Sequence, residues 1–367
     1  YYATQMMPQQ MNKFLNRALL SFAILASLSN FVKAQDPSFS QFFSSPLTLN
    51  PALTGNFNGT MRAVSNIRSQ NADYNNAYNT KTVSVDFNLM ANKIKSIDRL
   101  SMGVLLLSDQ TGNKIITNNN LAISLSYMKG LDAEQKRSIT LGFQSNYSNR
   151  RFNSANARFE DQLTPGGFTL PSGDILLNNN LSKSGIDINT GILFQYAPTS
   201  EHHYYIGASL FNLLQSQKEF GSNTSIAPLR KTIHGGMMSP VGYAGTFHAS
   251  FHFQQQTNFN QLLIGGAYSH YMKDALRSYV EIYVGAWYRT YQSVIPYIGI
   301  EWNYWRLGYT NDMSFSNRIT AGQLRYSNEV SLYYTDISNP VCFIAAMQLS
   351  SDMKCGPSPR IASDAAV

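Results

Sequence analysis

The chain has 367 residues and a formal net charge of +7, yet only 13% of its residues are charged while 13% are aromatic. Soluble domains carry about a quarter charged residues, and a mean hydropathy of −0.23 excludes a bundle of long apolar helices. The basic residues are spread over connections instead of clustering, which argues against a nucleic-acid surface as the reason for the charge.

The N-terminal residues have the pattern of a signal peptide. Lys13 and Arg17 precede an apolar run over residues 18–28, and the small residue Ala34 follows shortly after. The run is too short to cross a bilayer, which takes about 20 residues as a helix. We therefore predict cleavage between Ala34 and Gln35, with residues 1–34 as a signal peptide plus an upstream extension. The alternative is a buried N-terminal helix.

Period-two alternation in segments of about ten residues dominates the rest of the chain. Residues 82–89 are the clearest case, because Val83, Val85 and Phe87 fall on one face and polar residues on the other. A strand of this kind spans a bilayer when it is tilted. Strands are predicted at 59–68, 81–90, 99–108, 119–128, 138–148, 186–196, 203–213, 230–239, 245–255, 261–270, 279–290, 293–302, 304–311 and 327–335.

The predicted fold class is all-β: a transmembrane antiparallel up-and-down β-barrel of about 14 strands with an N-terminal periplasmic segment. With an even number of strands, the chain enters and leaves the barrel on the same side, which is the periplasmic side. The longest connections then fall on the outer side. The predicted divisions are the N-terminal segment 35–57, the barrel 58–336 and a periplasmic tail 337–367. A soluble β-sandwich is the structural alternative, because it also alternates apolar and polar residues.

No catalytic constellation is recognisable, so no enzymatic activity, cofactor or metal is predicted. His202 and His203 are adjacent and would point to opposite faces of a strand. His248 and His252 share a face but would lie about 13 Å apart, and they are predicted to line the lumen. Glu160 and Asp161 lie in a polar loop, where neighbouring carboxylates are usually solvated.

The two cysteines, Cys342 and Cys355, both lie in the C-terminal tail. In an oxidising compartment they are predicted to form one disulfide closing a short loop, worth on the order of 3 kcal/mol. A metal pair is the alternative, although no His lies near them.

Several segments resemble the PorP/SprF family of the type IX secretion and gliding-motility machinery of Bacteroidetes, and they follow the family's order along the chain. These segments are 35–42 (QDPSFSQF), 45–55 (SPLTLNPALTG), 205–214 (YIGASLFNLL), 230–235 (RKTIHG), 294–301 (VIPYIGIE), 328–334 (NEVSLYY) and the tail 355–360 (CGPSPR). The tail has three residues more than the family's closing Cys-Pro-Arg.

The resemblance implies a component of the cell outer membrane that assists export or surface attachment of cargo proteins bearing a C-terminal signal domain. The partners it implies are outer-membrane lipids, the ring and lipoprotein components of the type IX apparatus, and the cargo itself.

The N-terminal segment 35–57 precedes the first strand and therefore lies at the periplasmic mouth. It is predicted to fold into the lumen as a plug or to dock a partner, with an ordered cap as the alternative. The candidate residues for either role are Phe39, Phe42, Asn50, Pro51, Ala52 and Gly55.

The main rival function is a FadL-like outer-membrane transporter of hydrophobic small molecules, which also has an N-terminal hatch and an Asn-Pro-Ala stretch like residues 50–52. Such a transporter needs an apolar lumen path, whereas the predicted inward set is polar. That set comprises Thr82, Ser84, Asp86, Asn88, Thr140, Gln144, Asn146, Asp187, Asn189 and Gln195. A general porin or a purely structural barrel is a third possibility, to be distinguished by single-channel conductance.

Overall fold

The computed structural model describes most of the chain between residues 36 and 336. The described residues are 36–70, 78–89, 98–112, 114–132, 134, 136–154, 157–171, 181–199, 201–216, 227–257, 259–273, 279–290, 292–314 and 326–336. The predicted cleavage site at Ala34 and Gln35 and the predicted disulfide of Cys342 and Cys355 lie outside these residues.

Fourteen long strands, each formed from one of the alternating segments, make up the barrel. They are β1 (Met61–Gln70), β2 (Tyr78–Asn88), β3 (Arg99–Thr111), β4 (Ile116–Gly130), β5 (Arg137–Phe152), β8 (Ser182–Tyr196), β9 (His203–Phe211), β10 (Arg230–Val241), β11 (Gly245–Gln256), β12 (Phe259–Lys273), β13 (Tyr279–Arg289), β14 (Ser293–Trp302), β15 (Trp305–Ser314) and β16 (Tyr326–Asp336). The connection between β5 and β8 carries a small hairpin of its own, β6 (Leu163–Thr164) and β7 (Gly167–Phe168).

The strands are antiparallel neighbours in chain order, and the sheet closes where β1 pairs with β16. Ile67 of β1, for example, lies opposite Lys81 of β2 and Val330 of β16. Closure leaves no free sheet edge, so the strand backbones hydrogen-bond within the barrel. The closed fourteen-stranded antiparallel barrel confirms the predicted fold class.

Several strands are longer than predicted. β4 begins at Ile116 instead of residue 119, β5 ends at Phe152 instead of 148, and β8 begins at Ser182 instead of 186. The added residues are mostly polar, such as Asn118 and Arg151. Backbone pairing continues beyond the apolar band, whereas the hydrophobic alternation that predicts strands ends with that band.

The barrel exposes apolar side chains and buries polar ones. In β4, Leu121, Ile123 and Leu125 are 41–49% exposed, while the alternating Ser124 and Ser126 are buried. This pattern is the reverse of a soluble protein and fits a wall that faces lipid outside and a polar interior. Of the ten predicted inward residues, Asn88 and Asn146 are half-buried, and the other eight are buried. These eight are Thr82, Ser84, Asp86, Thr140, Gln144, Asp187, Asn189 and Gln195.

The two ends of the barrel differ in their connections. One end, called here the long-loop end, carries the connections after β1, β3, β5, β9, β11, β13 and β15; the other, the short-turn end, carries the start of β1 and the end of β16.

The helices in the part of the chain that the structure describes are all too short to span a membrane.

Candidate functional site

Residues 37–57, called here the inner segment, lie inside the barrel. The segment contains three short helices of about one turn each, a 3-10 helix at Phe42–Ser44, an α-helix at Pro46–Leu49 and a 3-10 helix at Pro51–Leu53. At its start it contacts Arg68 and Glu329, near the long-loop end of their strands, and at its end it contacts Arg62 and Asp86, near the short-turn end. The sequence placed this segment at the periplasmic mouth, and the structure extends it through the lumen.

The start of the segment is held by four buried charged side chains from the wall. The backbone N–H of Ser40 donates to Glu329 Oε2 (2.7 Å), and its hydroxyl donates to Asp312 Oδ2 (2.8 Å). Arg289 donates to the same Asp312 oxygen (2.7 Å) and to Ser40 Oγ (2.7 Å). Arg68 bonds Asp312 at 3.0 Å and lies 3.9 Å from Glu329. Two cations and two carboxylates balance, so the cluster places no net charge in the interior.

Gln41 is completely buried and uses its whole side chain in hydrogen bonds. Its backbone N–H donates to Glu329 Oε1 (3.1 Å), and its Nε2 donates to the Glu329 carbonyl (3.0 Å) and to Thr310 Oγ1 (3.3 Å). Its Oε1 accepts from Ser331 Oγ (2.6 Å). Gly308 provides the space, because a Cβ there would lie 2.7 Å from Gln41 Oε1.

Phe42 and Phe43 occupy an aromatic region of the wall. The Phe43 ring lies 4.8 Å from the Trp287 ring and 5.4 Å, edge-on, from the Tyr297 ring, and the Phe42 ring lies 5.3 Å from His252. Such edge and offset contacts stabilise aromatic pairs beyond their burial. Phe42 belongs to a buried cluster with Leu49, Leu263, Ala267, Tyr283, Trp287, Ile295 and Tyr297.

Side chains of the wall satisfy the backbone carbonyls of the segment. A buried loop needs such partners because its own peptide groups are not paired in a helix or sheet. The carbonyls accept from Asn66 (at Ser44), Gln144 (at Leu47), Arg230 (at Thr48), Ser209 and Thr232 (at Leu49) and Ser126 (at Thr54).

Asn50 lies at the middle of the segment and is also completely buried. Its Nδ2 lies within hydrogen-bond distance of the carbonyls of Ile192 (3.1 Å) and Ala208 (3.3 Å) and of His234 Nε2 (3.0 Å). Its Oδ1 accepts from the Ala52 N–H (2.8 Å) and so caps the following turn. Asn50 therefore links the segment to β8, β9 and β10 at once.

Three glycines of the wall make room for residues 50–52. A Cβ built on Gly191 or Gly207 would overlap the Asn50 side chain, and one on Gly142 would overlap the backbone of Pro51 and Ala52. Gly142 and Gly191 lie directly opposite each other across β5 and β8. The wall is therefore shaped for the segment at this level.

A buried ion pair between β1 and β2 holds the end of the segment. Arg62 and Asp86 contact at 2.5 Å, with side chains 3% and 1% exposed. Asp86 Oδ2 accepts from the Gly55 N–H (2.7 Å), and Arg62 donates to the Leu53 carbonyl (2.9 Å) and the Tyr333 hydroxyl (3.0 Å). Each charge thus has a partner and further hydrogen bonds, which a buried pair requires.

Gly55 turns the chain at this point with a φ of +68°. A Cβ there would overlap the Ser101 side chain and would lie 2.6 Å from Asn88 Oδ1. Both the backbone conformation and the space therefore require glycine.

The sequence-predicted candidates are distributed along the inner segment, from Phe39 near the long-loop end to Gly55 near the short-turn end. Phe39, Phe42, Asn50, Pro51, Ala52 and Gly55 are all buried. Their partners Arg62, Arg68, Arg289, Asp312 and Glu329 did not emerge from the sequence as site residues. The sequence signal that could have identified these partners is a charged residue at an inward-facing position of an alternating strand.

The histidines do not form a common site. His202 Nδ1 is 2.9 Å from Thr199 Oγ1, whereas His203 Nε2 is 3.1 Å from Gln195 Nε2. His252 contacts Phe42, and His248 Nε2 is 3.0 Å from Ser269 Oγ. Within the described ranges, no three His, Cys, Asp or Glu side chains are grouped so that they could hold a metal ion.

Comparisons with known proteins give one family match and several similar solved structures. A family model described as "Type IX secretion system membrane protein PorP/SprF" matches residues 31–334. No curated protein matches the sequence.

Among solved structures, the toluene transporter TbuX of Ralstonia pickettii is 8% identical with a TM-score of 0.47, covering 80% of this chain and 94% of that one. A FadL homologue of Pseudomonas aeruginosa is 9% identical with a TM-score of 0.44, covering 78% and 93%. CdiB from Acinetobacter baumannii is 8% identical with a TM-score of 0.38, covering 75% and 60%.

Proposed function

This chain belongs to the PorP/SprF family of type IX secretion system membrane proteins, and from this membership we propose that it is a non-enzymatic component of the outer membrane. It assists export or surface attachment of cargo proteins that carry a C-terminal signal domain. The observation that carries the proposal is the family match over residues 31–334, which includes all but the last residues of the barrel.

The inner segment inside the barrel supports an assisting role over that of an open channel. The inner segment is anchored at both ends by buried charged groups and along its length by wall side chains. A cargo chain that crossed the lumen at the level of residues 40–57 would have to displace these contacts or pass beside them. In this proposal the barrel therefore docks cargo or partner proteins, and the inner segment acts as a plug.

The same contacts disfavour transport of hydrophobic small molecules. Such transport needs a continuous apolar path, whereas the buried wall residues next to the segment include Arg62, Asp86, Gln144 and Glu329. Apolar ligands would have to displace groups that are already hydrogen-bonded.

The test is capture of the native complex. The tagged protein is solubilised from the envelope in mild detergent, and the co-purifying proteins are identified by mass spectrometry. We expect the ring or lipoprotein components of the secretion apparatus and a large protein with a C-terminal signal domain. An unrelated barrel of the same membrane with the same tag is the control.

A second measurement follows secretion directly. Cells lacking this protein should lose one or more signal-domain proteins from the surface or medium, and re-expression should restore them. Recovery of the barrel with lipid or fatty acid alone, together with unchanged secretion, contradicts the proposal.

A further inference from the structure

The wall around residues 40–43 recognises each of these four residues separately. We propose that this part of the lumen is a peptide-binding groove specific for Ser-Gln-Phe-Phe, occupied here by the chain's own inner segment. When that part of the segment leaves, the groove accepts a second peptide of the same chemistry. The inference goes beyond the export role, since it concerns what the lumen itself binds.

Backbone recognition comes from one carboxylate. Both oxygens of Glu329 accept consecutive N–H groups, those of Ser40 and Gln41, at 2.7 and 3.1 Å. Charge-assisted bonds of this kind are stronger than neutral ones. Because any residue except proline supplies such N–H groups, Glu329 binds a peptide backbone without regard to sequence.

Sequence recognition comes from the neighbouring positions. Asp312 and Arg289 both bond the Ser40 hydroxyl, which selects a small side chain able to donate and accept. The amide of Gln41 donates to the Glu329 carbonyl and accepts from Ser331. A glutamate at that position would lose the donor, and a residue without either group would leave buried partners unsatisfied.

The following two positions select aromatic rings. Phe43 packs against Trp287 and Tyr297, and Phe42 packs against His252 and within the apolar cluster around Trp287. Truncating an aromatic side chain here would leave a cavity among bulky residues.

The groove remains balanced when it is empty. Arg68 and Arg289 both bond Asp312, and Arg68 also lies 3.9 Å from Glu329. Removing residues 40–43 therefore leaves no excess buried charge, only hydrogen-bonding groups that water or a new peptide can satisfy. By contrast, residues 53–57 lead directly into β1 and share the Arg62–Asp86 pair, so they stay with the fold.

The ligand class that fits is an extended or singly turned peptide with Ser-Gln followed by two aromatic residues. The chain's own segment competes as an intramolecular ligand, at an effective concentration of the order of millimolar. A free peptide is therefore expected to enter the groove only when its concentration is high or when the inner segment binds the groove less tightly.

The test uses the full-length protein in detergent with its own segment weakened by the double substitution Gln41→Ala and Phe42→Ala. A fluorescent peptide with the sequence of residues 38–45 (SFSQFFSS) is titrated in, and its anisotropy is followed. We expect saturable binding to the variant and much weaker binding to the wild type. The same peptide with Ala at the Gln41 and Phe42 positions should bind about tenfold or more weakly, since it lacks about 1.4 kcal/mol or more of contacts.

A wall substitution locates the binding. Ser331→Ala in the weakened protein removes one donor to the peptide and should lower its affinity, whereas Gly166→Ala, in the turn between β6 and β7, should not. If the double variant does not fold, the single substitution Gln41→Ala takes its place. A folded variant that binds no peptide, or binds the control peptide equally well, overturns the groove; the capture and secretion experiments above are unaffected by that result.

Discussion

At the scale of single residues, a few buried charged side chains and glycines hold the inner segment in place inside the barrel. Asp86 illustrates this, because it bonds Arg62 and the N–H of Gly55 with almost no exposure to solvent. A buried ion pair contributes little over an apolar pair, but removal of one partner leaves the other charge unpaired. The pair therefore adds little to the free energy of unfolding, although the loss of either partner lowers that free energy strongly.

We expect Asp86→Asn to destabilise the folded barrel by about 3 to 5 kcal/mol, since it leaves the Arg62 guanidinium buried without a counter-charge. The measurement is the free energy of unfolding in urea. Asp98→Asn is the matched control.

Asp98 lies in the connection between β2 and β3 and pairs at 2.7 Å with Lys129, which is 55% exposed. The hydrogen bond from Lys129 holds the pKa of Asp98 below its ordinary value of 3.8, so the pair is ionised at neutral pH. Because solvent screens it, its loss should cost far less. Equal losses for the two variants would contradict the account of the buried pair.

Gly191→Ala should weaken the hold on Asn50, because the added Cβ would overlap the Asn50 side chain. Overpacking of this kind costs about 1 to 3 kcal/mol. Limited proteolysis of residues 37–57 and thermal unfolding both report it. Gly166→Ala is the control, since its Cβ would meet only Thr164 Oγ1, at 3.8 Å; similar effects of the two substitutions would show that the fit at Asn50 is unimportant.

At the scale of elements, the inner segment and the barrel wall satisfy each other's buried hydrogen-bonding groups. The segment has short turns and little internal pairing, and its carbonyls are satisfied by inward side chains of several strands. The wall in turn buries polar side chains that would otherwise need water. The position of the inner segment is thus set by the strands around it.

If the segment closes the lumen, the wild-type protein in a planar bilayer should pass little current, and the double substitution Phe42→Ala and Phe43→Ala should raise it by removing packing at Trp287 and Tyr297. Tyr243→Ala removes an aromatic ring from a fully exposed turn and should leave the conductance unchanged. A wild-type protein that already conducts as an open pore would refute closure by the segment.

At the scale of the whole molecule, the outward apolar side chains fit a wall that faces a bilayer. Leu125 of β4 and Leu163 of β6 are similarly exposed, 49% and 57%, but Leu125 lies on the barrel wall and Leu163 in the connection between β5 and β8. Only the former is expected to contact lipid.

Leu125→Arg should therefore reduce folding stability in lipid vesicles by about 2 to 4 kcal/mol if the residue lies near the bilayer midplane. Leu163→Arg should change it little, because an exposed loop position keeps the charge in water. Urea titration in vesicles measures both. Equal tolerance of arginine at the two positions would argue against this placement of the bilayer.

Alternation along the chain was enough to predict the barrel. Each of the fourteen predicted ranges overlaps one barrel strand, because a wall between lipid and a polar interior imposes the same two-residue period on every strand. The strand ends were less predictable, as at Ile116 and Phe152, since pairing outlasts the apolar band.

The amino-acid sequence by itself determined the barrel, a strand number of about fourteen, the polar face of the alternating strands and the presence of a distinct segment before β1. Only the tertiary structure decided what that segment contacts. Ser40 meets Glu329 across 289 positions of the chain, and Asn50 meets Ala208 across 158. No local pattern encodes such contacts, because they depend on barrel closure, which brings inward side chains of distant strands around one lumen.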